Sequence, residues 1–277
     1  MERSKPETVG VIISTYNNPE WLEKTLWGYA SQSYTSFELI IADDGSGEET
    51  RNLIESFRRD YFPELKHIWH EDEGFRKCKI LNNALVAAES EYLIFTDHDC
   101  IPRKDFIETH LRYARKGYFL SGGYPKLPMA TSKAITHEDI TSGNAFNIQW
   151  LKNHGLKSSF KNTKLYKSNS YAFIMNHITP ARASWNGCNS SGWKKDMIAV
   201  NGFNEAMQYG GLDREFGERL INLGIRSKQI RYSAICLHLD HSRPYKNKEL
   251  IKKNEEIRRL VRANKIIRTP NGIVKAI

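Results

Sequence analysis

Cysteine is scarce: Cys78, Cys100, Cys188 and Cys236 are the only four in 277 residues, and no two form a Cys-x-x-Cys pair. Their wide spacing excludes a dense disulfide framework or a thiolate metal knuckle, and predicts free or structural thiols in a reducing compartment. No apolar run approaches the 18 or so residues of a membrane span, and Met1 to Thr8 is polar and charged rather than a leader sequence. A cytoplasmic protein is expected, free or peripheral at the inner face of the cell membrane. No Gly-x-Gly-x-x-Gly follows the first strand and no Gly-x-x-x-x-Gly-Lys occurs, so neither a dinucleotide cofactor nor a P-loop is supported. Phosphate charge would have to be met by a metal ion.

Against these absences stand 40% hydrophobic residues, enough for a substantial α/β core, and a net charge of +9. Such a charge attracts an anion, and nucleotide, nucleic acid, acidic glycan and anionic phospholipid all qualify. It is densest from Lys246 to Arg262, which reads as an amphipathic helix with Leu250, Ile251, Ile257, Leu260 and Val261 on its apolar side. The simpler reading is a docking helix with a solvated outer face. The functional one is peripheral contact with an anionic inner membrane.

The first half alternates strand and helix. Val9 to Ser14 reads as a buried strand, and Pro19 to Ser31 as a helix capped by Asn18. Phe37 to Ala42 is a second strand, followed by the turn Asp43-Asp44-Gly45-Ser46 and a helix through Phe57. A strand at Lys66 to His70, a helix around Ile80 to Ala88 and a strand from Tyr92 to Asp97 complete the pattern. Such alternation predicts βαβ units and a mostly parallel sheet flanked by helices, an α/β fold whose ligands bind beyond the carboxyl ends of the strands.

That rule groups the polar residues. Thr15, Tyr16 and Asn17 leave the first strand, Asp43 and Asp44 the second, and Asp97, His98 and Asp99 a later one, so all should line one crevice. Side chains alternate along extended backbone, so Asp97 and Asp99 point the same way, an arrangement suited to a divalent cation carrying a diphosphate. A carboxylate at the second strand end can accept from a base N–H or a ribose hydroxyl. A plain capped turn is the competing reading of Asp43-Asp44-Gly45-Ser46.

Val11-Ile-Ile-Ser-Thr15-Tyr16-Asn17, Ile40-Ile-Ala-Asp43-Asp44-Gly45-Ser46, Asp72-Glu-Gly74-Phe75-Arg76 with Asn82-Asn83-Ala84, and Phe95-Thr-Asp97-His98-Asp99 resemble the successive nucleotide-sugar motifs of family 2 glycosyltransferases with the Rossmann-like GT-A fold. The resemblance implies that Thr15, Asp43 and Asp44, with Tyr16 and Asn17 beside them, hold the nucleoside of a UDP-sugar. It places Arg76 near the diphosphate or sugar, Asp97 and the adjoining His98 on the ribose or sugar side, and Asp99 on Mn²⁺ or Mg²⁺. Asn82 stands where related sequences often have arginine.

Gly187-Cys-Asn189-Ser190-Ser191, Asn201-Gly202-Phe203-Asn204-Glu205 and Tyr209-Gly210-Gly211-Leu212-Asp213-Arg214-Glu215 resemble the catalytic half of β-1,4-galactosyltransferases and of chondroitin polymerase-type bacterial enzymes. There a Gly-Gly-Glu-Asp run opens a helix and its aspartate is the base; here Leu212 replaces the glutamate and Asp213 remains. Physical reasoning gives Asp213 the same role: Gly210-Gly211 allows close backbone approach, and a helix N-terminus stabilises a carboxylate. The competing role is a helix cap. In Ile235-Cys-Leu-His238-Leu-Asp240-His241-Ser242-Arg243 two imidazoles stand three residues apart, a spacing at which they can share a metal. The galactosyltransferase pattern implies His238 and His241 as ligands, the chondroitin polymerase pattern His238 alone; Asp240 is the weaker candidate.

Trp185 and Trp193 flank the Asn189 region and could stack on a sugar or pack in the core. Between Tyr124 and Tyr171 the chain is polar and weakly periodic, which predicts an irregular acceptor-side flap, disordered without substrate. The expected organisation is one glycosyltransferase domain over 1–245, divided near 102 into nucleotide-sugar and acceptor halves, with a basic helical extension over 246–277. The expected activity is inverting, metal-dependent transfer from a UDP-sugar to a saccharide or glycolipid acceptor in bacterial surface polysaccharide or lipopolysaccharide synthesis, with nucleic acid no partner. A metal-dependent nucleotidyltransferase and a non-catalytic acidic-glycan-binding module are the alternatives.

Overall fold

A computed structural model describes residues 5–242 and 247–275. Arg243 of the His-Ser-Arg run and Lys246 at the start of the basic segment lie outside the described residues.

The elements follow the expected alternation. In order they are β1 (Val9–Thr15), α1 (Pro19–Ala30), β2 (Glu38–Asp43), α2 (Glu48–Asp60), β3 (Lys66–Trp69), α3 (Lys77–Ala87), β4 (Tyr92–Asp97), β5 (Cys100–Pro102), α4 (Phe106–Tyr113) and β6 (Tyr118–Ser121). Short helices α5 (Met129–Ala134), α6 (His137–Ser142) and α7 (Ile148–Asn153) precede α8 (Asn169–Ile178). The chain then forms β7 (Ser190–Trp193), α9 (Lys194–Ala199), α10 (Leu212–Asn222), β8 (Arg226–Gln229), β9 (Cys236–His238) and α11 (Lys248–Ala263). Asn18 caps α1 as expected, its side chain accepting from the Trp21 amide.

Seven strands form one sheet in the order β3-β2-β1-β4-β7-β6-β8. The first four are mutually parallel, and β7 runs antiparallel to both β4 and β6. Every residue of β1 is buried, as a central strand covered on both faces requires. Its side chains divide by alternation: Val9, Val11 and Ile13 join the core under α1 and α2, and Ile12 joins the one under α3 and α10. The register sets Ser14 opposite Asp97 and Thr15 opposite Asp43, so the three expected groups end at one sheet edge.

A second, two-stranded sheet decides the site. Pairing of β5 with β9 sets Cys100 opposite His238, and the Leu239 amide donates to the Asp99 carbonyl at 2.8 Å. Residues far apart in sequence are thereby fixed beside the end of β4.

Two expectations need correction and one open alternative is decided. The 124–171 segment is ordered rather than an irregular flap: Leu127, Ile135, Ile140, Phe146, Leu151, Leu156 and Leu165 build a third core with Trp21, Ile101, Ile235 and Leu237. Its apolar residues fall on separate short helices and the turns between them, so no period spans enough turns to be read. Trp185 and Trp193 are core residues with 0% and 3% exposure, and neither presents a face to a sugar. On α11, Leu260 is 40% exposed whereas Val261 and Asn254 are buried. The Asn254 amide donates to the Gln208, Tyr209 and Gly210 carbonyls at 3.0, 3.2 and 2.9 Å, and Arg258 and Arg262 pair with Glu218 of α10. The helix therefore docks through a polar clamp as much as an apolar stripe.

All four cysteines are free and buried, and among the described residues no helix is long and apolar enough to cross a membrane.

Candidate active site

The cleft lies beyond the carboxyl ends of β1, β2 and β4. Thr15 is buried with its hydroxyl unpartnered, and its carbonyl accepts from the Asp44 amide at 3.0 Å. Asn17 adopts φ +42°; its amide donates to Ser46 Oγ at 2.9 Å and its Oδ1 accepts from the Gly47 amide at 2.8 Å, which ties the β1 loop to the β2 loop. The Tyr16 ring is largely exposed and its hydroxyl donates to Asp72 Oδ2 at 2.8 Å.

Asp43 and Asp44 are both buried and both engaged. Asp43 Oδ1 accepts from the Ser46 amide at 2.8 Å, and His67 Nε2 lies 2.9 Å from Oδ2. Asp44 accepts from the Arg76 amide at 3.0 Å and has His70 Nε2 at 2.8 Å. The turn reading is met by the bond from the Ser46 amide, and the lone pairs left on these carboxylate oxygens are their remaining capacity to accept. Arg76 caps α3, with its guanidinium held by Glu73 and the Glu71 carbonyl.

Asp97 faces a partner that sequence reasoning missed. Ser14 Oγ donates to Asp97 Oδ1 at 2.7 Å and Lys77 Nζ to the same oxygen at 2.5 Å. Burial pushes the Asp97 carboxyl up, but the Lys77 charge more than offsets this and leaves it below the usual carboxylate range. A signal for Lys77 existed. A cation at the first residue of a helix opposes the helix dipole, so it needs an anion nearby. His98 donates its amide to the Ser14 carbonyl at 2.9 Å, and burial lowers its imidazole pKa.

Asp99, His238 and His241 come together. His241 Nε2 is 3.0 Å and His238 Nδ1 3.6 Å from Asp99 Oδ2, and the two imidazole planes are nearly parallel at 5.8 Å. Burial raises the Asp99 carboxyl, but the hydrogen bond from His241 and the charge of His238 pull it far below the ordinary range. His238 Nδ1 donates to the Leu239 carbonyl and His241 Nδ1 to the Ser242 carbonyl, both at 2.8 Å. Among the described residues the ligand atoms that gather within reach of one ion are those of Asp99, Cys100 and His238, while His241 Nε2 is bonded to Asp99 Oδ2 beside them; carboxylate with imidazole suits Mn²⁺. Cys100 Sγ lies in the same cluster, 3.3 Å from Asp99 Oδ1, but burial raises its thiol well above the ordinary value and disfavours the thiolate. Tyr124, also missed, packs its ring 5.6 Å from that of His238.

Asp213 sits in the first turn of α10 behind Gly210 and Gly211, at φ +106° and +88°. Its Oδ1 has no hydrogen-bond partner, so the cap reading does not account for that atom. Burial pushes its carboxyl up to about 6, with Lys77 opposing and Asp97 adding to the rise. A Cβ on Gly187 would stand 2.7 Å from Asp213 Oδ1, so a side chain there would displace that carboxylate. Asn82 does not reach the cleft. It brackets the Phe203 main chain, donating to its carbonyl at 2.9 Å and accepting from its amide at 2.7 Å.

The chain's relatives agree with this architecture. Residues 10–185 match the family model of glycosyl transferase family 2, and residues 172–242 match that of the N-terminal domain of galactosyltransferase. Chondroitin synthase of Escherichia coli is 25% identical over 252 residues, covering 83% of this chain and 34% of that protein. Chondroitin synthase of Pasteurella multocida is 23% identical, covering 78% of this chain and 23% of that one. This chain thus spans about a third of the length of the first relative and about a quarter of the second. Among solved structures, the mannosyltransferase of Pyrobaculum calidifontis in complex with GDP-Man and Mn²⁺ superposes with a TM-score of 0.58 at 19% identity, over 87% of this chain and 59% of that one. TarS of S. aureus, residues 1–349 in complex with UDP-GlcNAc, gives 0.60 at 18% identity, over 94% and 70%.

Proposed function

The chain belongs to glycosyl transferase family 2, and from that premise we propose that it transfers a sugar, with inversion, from a UDP-sugar to a saccharide or glycolipid acceptor in surface polysaccharide or lipopolysaccharide synthesis. The observation that carries this reading is the division of labour among its carboxylates. Asp99 lies with two histidines and is strongly biased toward the anion, whereas Asp213 is raised to about 6, where a group can both accept and release a proton near neutrality.

In this reading Asp43 and Asp44 accept from the nucleoside, Thr15 offers its unpartnered hydroxyl, and Tyr16 and Asn17 close that end of the cleft. Arg76 and Lys77 stand at the α3 N-terminus, where backbone amides and two cations favour a diphosphate. Asp97 and His98 border the ribose and sugar. Asp99, His238 and His241 would hold Mn²⁺ or Mg²⁺, which when bound neutralises charge on the departing diphosphate. Asp213 removes the proton of the acceptor hydroxyl as that oxygen attacks the anomeric carbon from the face opposite UDP. Assignment of 1–102 to the donor, 103–245 to the acceptor and 246–277 to an extension belongs to the same proposal.

Calorimetry with UDP, with and without Mn²⁺, followed by a UDP-sugar hydrolysis panel, tests it. Metal-dependent UDP binding and UDP release are expected. Release of pyrophosphate instead would indicate a nucleotidyltransferase, and binding of acidic glycan with no hydrolysis a binding module.

A further inference from the structure

Two stretches of the chain are free of acid. Residues 140–195 hold eight Lys and Arg and no Asp or Glu, where roughly six acids would fall at the average density, and residues 219–239 hold four more cations and again no acid. The fold joins them. Helix α8 lies over the chain leaving β8, the outermost strand: Ala172 and Met175 pack on Tyr232, and Asn176 donates to Ser233 Oγ at 2.9 Å while accepting from the Tyr232 amide at 2.9 Å. The Gln229 amide donates to the Asn176 and Thr179 carbonyls at 2.9 and 2.8 Å.

With Asn176 turned inward, the other side of α8 faces water with three large apolar side chains and His177, whose ring lies 4.3 Å from that of Phe173. Phe173, Ile174 and Ile178 are 58%, 52% and 65% exposed, the reverse of an ordinary surface helix. On the segment before it, Phe160 is 68% and Tyr166 47% exposed, and the Tyr166 ring lies 5.4 Å from that of Tyr171 on α8. Lys161, Lys167 and Arg182 are exposed around this patch. By contrast α11 leaves only Leu260 of its large apolar residues exposed and spends Arg258, Arg259 and Arg262 on Glu218 and Glu256.

We propose that the outer face of α8 docks on an anionic lipid bilayer, with Phe173, Ile174 and Ile178 entering the boundary between headgroups and acyl chains and Lys161, Lys167 and Arg182 meeting lipid phosphates. A second copy of the chain fits the face poorly, because a two-fold interface would set this cationic rim against itself. The proposal assigns membrane contact to α8 in place of the basic C-terminal segment, and it assumes nothing about sugar transfer.

The full chain is sedimented with phosphatidylcholine vesicles and with vesicles containing about one third phosphatidylglycerol at about 0.15 M salt. Binding to the anionic vesicles alone is expected. It should weaken at least ten-fold in Phe173→Ser/Ile174→Ser/Ile178→Ser, and about five-fold for each of Lys161→Ser and Lys167→Ser. These side chains are exposed, so all variants should melt at the parent temperature, which separates docking from folding. Three results overturn the proposal: no binding to anionic vesicles, parent-like binding by the triple variant, or loss that follows Lys252→Ser/Lys253→Ser in α11 instead. A parent that light scattering finds dimeric and a triple variant found monomeric would assign the face to a second copy and overturn it equally.

Discussion

Asp213→Asn removes the proposed base while keeping its size and its place in the first turn of α10. Burial holds the carboxyl at about 6, so about nine-tenths of it is ionised at pH 7 and about one-tenth at pH 5. Turnover should therefore rise about ten-fold per pH unit below 6 and level off above it. Loss of the base should lower kcat by about 10²–10⁴-fold, or about 3–5 kcal/mol of barrier, with the Kd for UDP unchanged. Initial rates of UDP release from about pH 5 to 8 give both readings. Stability supplies the control. A carboxyl whose folded pKa is raised disfavours folding once ionised, a cost that begins at its unfolded pKa and is complete above the folded one, so at pH 7 the variant should melt no lower than the parent. A loss below ten-fold, or a rising limb near pH 6 that survives the substitution, would refute the assignment.

His238→Ala and His241→Ala should each weaken Mn²⁺-dependent tightening of UDP by about 10–100-fold in calorimetry, and retention of the full metal effect by both would remove the proposed ion site. Gly187→Ala forces a methyl against Asp213 Oδ1, so kcat should fall about 100-fold with UDP binding intact; near-normal turnover would show that the base sits elsewhere. Arg219 is fully buried, pairs with Glu215 through two bonds of 2.8 and 3.0 Å, and donates to the Val200 and Gly202 carbonyls. Arg219→Met leaves that carboxylate unpaired and should cost about 3–5 kcal/mol in urea unfolding, whereas a cost under 1 kcal/mol would mean that the pocket admits water.

Local signals in the sequence carried the first half of the chain. Alternation of buried strands with capped helices placed Thr15, Asp43 and Asp97 at one sheet edge because parallel strands share a direction, and the structure aligns them by register. Asp99 with His238 and His241 was legible only through spacing and resemblance, since the β5–β9 pairing that joins them involves three-residue strands too short to predict. Lys77 and the two histidines on Asp43 and Asp44 went unread because their partners are distant in sequence and no period marks them. The ordered 124–171 region was missed for a different reason. Its core forms only when Ile235 and Leu237 arrive to cover it, and a sliding window cannot see that.

The β5–β9 ladder also has a temporal consequence. A ribosome that has just added Asp99 has made the four parallel strands β1 to β4, but both imidazoles emerge about 140 residues later. The nascent chain holds Asp99 without its histidine partners until translation passes His241. Premature arrest before His238 would release a chain whose Asp99 lacks both imidazoles and whose third core lacks Leu239, a species for which proteolysis should compete with completion.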